Sequence, residues 1–133
     1  MATAFLVPAV AGSIGCAIVV AVTRAMATVP VDFKPFHPAA YVPLTVVAAA
    51  AGLAGWLAVR RRATRPATTL RSLASAVVAL SFVPDVLLGI TGFLPGTTWP
   101  GVAGLMVMHL VIAAVAVASY ARFFPAPAAR TQP

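Results

Sequence analysis

The sequence predicts an all-α membrane fold, a four-transmembrane-helix bundle forming one membrane domain over residues 1–133, with the N- and C-termini both cytoplasmic. Three observations predict it. Of the 133 residues, 62% are hydrophobic and 8% charged, with a mean hydropathy of +1.02; a soluble core of this size has no room for so much apolar surface. The apolar residues fall into four stretches, each near the roughly 20 residues that cross a 30 Å hydrocarbon layer. The basic residues crowd into one connection between those stretches.

The first span runs from about Ala4 to Met26. Ala25-Met26-Ala27 resembles a signal-peptidase site and Ser13-Ile14-Gly15-Cys16 a lipoprotein cleavage box. The apolar run is longer than a signal h-region, no Lys or Arg leads it, and the box has Ser where an aliphatic residue belongs. The segment therefore reads as a retained helix; cleavage would leave three spans and an outside N-terminus. The single cysteine, Cys16, has no partner for an internal disulfide.

The second span runs from about Ala39 to Val59, the third from Thr69 to Thr91, and the fourth from Trp99 to Ala121, with a disordered tail from about residue 123. Pro8, Pro43 and Pro100 stand near span starts, where a missing N–H costs least. Pro84 lies inside the third span, where it frees the Leu80 carbonyl and predicts a kink.

A net charge of +7 and a pI near 11.5 suggest nucleic acid in a soluble chain. Position points elsewhere. Arg60, Arg61, Arg62, Arg65 and Arg71 surround the connection between spans two and three, with almost no aromatic or polar surface beside them for bases. Under the positive-inside rule this basic loop is cytoplasmic, which places both termini, Arg122 and Arg130 on the same side. Only Arg24 and Lys34 fall on the other. The same arginines attract anionic headgroups, so membrane lipids are expected partners and nucleic acid is not. Tyr41 and Trp99 at the outer span ends, with Trp56 and Tyr120 near the inner ends, read as interfacial anchors.

The two outer loops share the spacing F-x-P-x4-P, through Phe36, Pro38 and Pro43 and through Phe93, Pro95 and Pro100. It fits either a duplicated helical hairpin or convergence of interface residues. Small residues recur at four-residue spacing: Ala11 and Gly15, then Ala17, Ala21 and Ala25, on span one; Ala48 and Gly52, Ala51 and Gly55, on span two. Such ladders let helices approach within one chain, in a homo-oligomer, or with a larger membrane partner. Four helices have too little girth for a wide aqueous pore in a monomer.

Asp85 is the only acid in any span, and burying its charge costs about 2.5–3.5 kcal/mol on insertion scales. By helical rise it lies roughly 10 Å below the outer end of its span, and His109 roughly 15 Å below the outer end of the next. The short loop between spans three and four makes them neighbours. A polar cluster of Arg24, Ser81, Asp85 and His109 in the outer half of the bundle is therefore expected, with Ser81 one turn from Asp85. It fits a clasp that fixes helix rotation, and it fits a proton relay.

Other chemistry is sparse. The outer loop offers only Asp32 and His37 towards a metal, so neither metal nor cofactor is expected. There is no phosphate loop, catalytic triad or CxxC, and no enzyme is expected. Met106 and Met108 beside His109 fit either packing or a small lipophilic pocket.

Pro84-Asp85, the Pro95-Gly96 turn and Leu105-Met106-Val107-Met108-His109 carry a resemblance over nearly the whole chain. The chain resembles a family of small uncharacterised four-helix integral membrane proteins of high-GC bacteria, a domain of unknown function. That family's third span has a Ser-Phe-Val-Pro-Asp-like element, matched by Ser81 to Asp85, and its fourth a Met-His pair, matched by Met108-His109. The resemblance implies a multi-pass protein of the bacterial plasma membrane and brings no activity. The leading expectation is a non-enzymatic assembly or accessory subunit. The alternatives are proton or small-solute transport or sensing through the Asp-His-Arg cluster, and lipid or lipophile binding.

Overall fold

A computed structural model describes residues 2–125, and the expected tail and Arg130 lie largely or wholly outside that range. Four helices follow one another: α1 (Ala2–Met26), α2 (Pro38–Arg62), α3 (Pro66–Thr91) and α4 (Trp99–Phe123), with a short 3-10 turn, Lys34–Phe36, before α2. Each is long and apolar enough to cross a membrane. The helices overrun the apolar stretches at the arginine end because Arg is a good helix former and nothing breaks the chain before Ala63.

The boundaries have local causes. Pro38 and Pro66 begin α2 and α3, where proline's fixed φ suits the first turn and its absent N–H is no loss. Thr98 caps α4, its hydroxyl accepting from the Gly101 N–H at 3.3 Å. Gly92 ends α3 in the left-handed region at φ 60°, its N–H donating to the Leu88 carbonyl at 2.8 Å. Pro8 and Pro43 lie inside their helices, because α1 and α2 start earlier than the early prolines suggested. α3 likewise runs unbroken through Pro84. Hydroxyls on the helices bond back to their own backbone, as Thr45 does to the Tyr41 carbonyl at 2.8 Å and Thr23 to Val19 at 2.7 Å. That pairing lets them sit among apolar neighbours.

Residues 63–65 join α2 to α3 and force antiparallel neighbours. The most extensive packing joins the first helix to the last, α1 to α4, followed by α3 on α4 and α2 on α1. α1 and α3 occupy opposite corners with α4 between them. Close approach of α1 and α4 depends on Gly15: a Cβ there would stand 2.5 Å from Val111 Cγ1.

Two clusters fill the interior. At the arginine end Trp56, Leu70 and Tyr120 pack together with Leu53, Val59 and Phe124. Trp56 and Tyr120 are buried there and are not interfacial anchors. Tyr120 donates its hydroxyl to the Ala49 carbonyl of α2 at 2.6 Å, and the Trp56 indole N–H donates to the Phe124 carbonyl at 2.9 Å. Each aromatic thus ties α2 to the end of α4. Trp99 is exposed, as an anchor requires.

At the opposite end the connection between α1 and α2 folds into the bundle. Val29, Phe33 and Phe36 join Cys16, Leu88, Val102 and Met108 in the core. The Phe33 and Phe36 rings meet edge to face, centroids 5.1 Å apart. Their seat is α4, where a Cβ on Gly104 would lie 2.6 Å from Phe36 Cζ and one on Gly101 3.1 Å from Phe33 Cε1. The two F-x-P-x4-P segments consequently differ in role, since Phe36 is 2% exposed and Phe93 69%.

Candidate functional site: a buried carboxylate and imidazole

Asp85 on α3 and His109 on α4 come together, Oδ2 to Nδ1, at 2.9 Å. By helical rise their backbones differ in depth by about 5 Å, but side chains on a helix lean towards its N-terminus. On antiparallel helices the two lean towards each other, and the offset closes. Packing at the loop end holds the helices near enough: a Cβ on Gly89 would fall 2.8 Å from the Trp99 ring.

The carboxylate is sunk, with 8% of its side chain exposed, while the imidazole is 36% exposed. The pair meets in distance but not in alignment. Neither Asp85 Oδ2 nor His109 Nδ1 makes an aligned hydrogen bond to any partner among the described residues. A buried polar atom left in that condition is costly and can improve its geometry through a small rotation of either side chain. Chemically, the arrangement can hold one proton between a carboxylate and an imidazole, with the imidazole on the more open side.

Arg24 and Ser81 are not part of it. Arg24 stands in the last turn of α1 with its guanidinium 6.0 Å from the centre of the Phe36 ring, and it forms no ion pair with Asp85. The cause is topological: α1 packs chiefly against α4 and α2, with α3 at the opposite corner. Ser81 does share a face with Asp85, but its hydroxyl donates to the Val78 carbonyl at 2.7 Å, one turn away from the carboxylate. The cluster of four therefore contracts to a pair; Pro84, one residue before Asp85, has no N–H to offer the Leu80 carbonyl.

The other candidates also find places. Met108 is buried in the core and Met106 packs against it. A recess at the end of α1, formed by residues 24–29, is shallow and open, and neither methionine lines it. Cys16 is fully buried, its Sγ 3.9 Å from Thr45 Oγ1 on α2. His37 Nε2 lies 2.7 Å from the Val31 carbonyl, and Asp32 lies against Gly96 of the other loop. No group of three or more metal-ligating side chains occurs among the described residues. Arg60, Arg61, Arg62, Arg65 and Arg71 gather at the far end, around the turn at 63–65.

A family model described as a family of unknown function, DUF6069, matches residues 1–125. The chain belongs to the DUF6069 family. The match takes in all four helices, the aromatic loop and both members of the Asp85–His109 pair. No curated protein and no solved structure matches the chain. The family supplies no activity, so any function has to be argued from the geometry.

The aromatic loop and the Tyr120 strut went unread in the sequence. Phe33 and Phe36 look like interface residues when seen alone. The signal for their burial is the Gly101 and Gly104 spacing on α4, which opens a seat one turn wide facing them.

Proposed function

We propose that the chain is a multi-pass integral membrane protein of the bacterial plasma membrane, both ends cytoplasmic, that works without catalysis as an assembly or accessory subunit. The observation that carries this reading is the outward face of α1. Ala17, Ala21 and Ala25 lie exposed at four-residue spacing, between exposed Ile14, Ile18 and Val22. In lipid, a flat strip of alanines flanked by larger side chains admits the backbone of another helix, because dispersion contacts replace the hydrophobic drive that lipid removes. Gly55 on α2, beside which a Cβ would meet nothing, leaves a second such opening. The arginine turn supports the orientation.

Crosslinking in native membranes, followed by native mass spectrometry in mild detergent, tests the reading. It expects a defined assembly, of copies or with a larger partner, that Ala21→Phe weakens at least tenfold while the helix content is kept. A persistent monomer with no co-purifying partner refutes it.

A second reading, proton or small-solute transport or sensing, draws support from the Asp85–His109 geometry: a sunken carboxylate touches an imidazole that is partly open. Proteoliposomes under a pH gradient separate the two. Equal flux in wild type and Asp85→Asn assigns the pair to a structural clasp.

A further inference from the structure

α3 is the least buried of the four helices, and its buried side chains fall in two groups. Near the arginine end Pro66 and Leu70 are buried, Leu70 against Trp56 and Tyr120. Near the other end Asp85 and Leu88 are buried, Leu88 in the cluster that holds Val102 and Met108 of α4. Residues 71–84, between the groups, include no buried side chain. The hydroxyls of Thr69, Ser81 and Thr91 bond within α3 or to its N-cap. Among the described residues the contact of Asp85 with His109 is thus the one polar tie between α3 and another helix.

That tie follows directly on a pivot. Pro84 has no N–H for the Leu80 carbonyl, and helices bend where that bond is missing. Beyond Pro84 the helix runs only to Thr91, and residues 92–98, which carry no helix, connect it to α4. The short end of α3 therefore has a weak joint on one side and a non-helical segment on the other.

The tie itself depends on a proton. With one proton shared, the pair is neutral overall, as carboxylate with imidazolium or as acid with imidazole. Without it, a net negative charge remains on a carboxylate side chain that is 8% exposed. Burying an uncompensated charge is costly, and hydration relieves it. A second proton strands a net positive charge in the same way. The other ionisable groups of that half of the bundle are engaged elsewhere or lie in the connection between α1 and α2. Cys16 on α1 meets Thr45, Arg24 stands over Phe36, Asp32 lies against Gly96, and His37 meets the Val31 carbonyl. Tyr41 on α2 and Lys34 complete the set, and no ion pair or hydrogen bond joins any of these to Asp85 or His109.

We propose that Asp85 and His109 form a proton-operated latch: the end of α3 beyond Pro84 is shut against α4 while the pair holds one proton, and swings away when that proton is lost. The latch deepens the sensing reading and rests on it, since both require the pair to titrate. It requires no flux, and it operates equally in an assembly subunit.

Spin labels on Leu87→Cys and Leu110→Cys, both exposed positions, in a Cys16→Ser background report the α3–α4 distance by double electron–electron resonance in lipid nanodiscs. The range runs from about pH 5 to about pH 9, with His109 followed by nuclear magnetic resonance of labelled histidine in a His37→Gln background. The intact pair should show a short distance and, as His109 loses its proton, a growing longer one. The shut-to-open ratio should fall by up to about tenfold per pH unit, the limit for one proton. Asp85→Asn, which has no charge to strand, should stay shut at alkaline pH, and so should Asp85→Leu combined with His109→Leu. Pro84→Ala, which restores the helical bond, should open less. A distance that stays fixed while His109 titrates overturns the latch and leaves sensing standing; a His109 that does not titrate overturns both. Opening of Asp85→Asn to the same extent as the intact pair also overturns the latch. Should Asp85→Asn fail to fold, the double leucine variant supplies the same comparison.

Discussion

Replacing Tyr120 by Phe removes one oxygen and keeps the ring against Trp56, whose centroid is 5.8 Å away. The lost bond runs 2.6 Å from α4 to the Ala49 carbonyl of α2. Ala49's oxygen keeps its place in the α2 ladder, so no acceptor is stranded and the change isolates the hydroxyl. Interhelical hydrogen bonds in membranes contribute on average about 0.6 kcal/mol and at most about 1.7. Full burial and a short bond put this one in the upper half, near 1–1.5 kcal/mol, within the ordinary range for a net hydrogen bond. Trp56 reports on the site once the other tryptophan is replaced, in a Trp99→Phe background, with unfolding by SDS in mixed micelles followed by fluorescence. Tyr120→Ala must cost more, because it also empties the space between Gly52 and Trp56. A Phe variant within about 0.3 kcal/mol of wild type, or one as damaging as Ala, refutes the account of Tyr120 as a strut held by its hydroxyl.

The same assay reads three further changes. Gly104→Leu should evict Phe36 from its seat and cost about 1–3 kcal/mol, with Phe36→Ala restoring part of the loss; full tolerance of leucine would remove the seat. Gly96→Ala should cost about 2 kcal/mol, since φ is 75° there and Asp32 Oδ1 would stand 2.8 Å from the new Cβ. Asp85→Leu and His109→Leu should each destabilise the bundle, while the double variant returns to within about 1 kcal/mol of wild type. Additive losses in that cycle would mean that the two side chains do not act on each other.

Helix number was readable because segment length reports directly on what can cross a bilayer. The Asp85–His109 contact was readable for a related reason: a short loop makes α3 and α4 neighbours, and depth follows from helical rise. What failed depended on helix rotation. In a soluble helix, polar residues mark the outside, but here both faces are apolar and that contrast is missing. Ala17, Ala21 and Ala25 and the pair Ala11 and Gly15 looked alike, yet the first set points outward while Gly15 meets Val111. Arg24 was misplaced because depth alone cannot tell an adjacent helix from a diagonal one. Trp56 and Tyr120 stand at the level where anchors stand; only their partners, Phe124 and Ala49, distinguish a strut from a belt.

The seating of Phe33 and Phe36 on Gly101 and Gly104 has a bearing on how the protein is made. The aromatic loop leaves the ribosome early, between the first two helices, but its seat belongs to the last. Until α4 is made, the two rings lack the glycine seat against which they pack. The broad α1–α4 contact closes at the same moment. Completion of the core thus depends on the last helix: a chain halted after α3 would hold three helices and an aromatic loop without its seat.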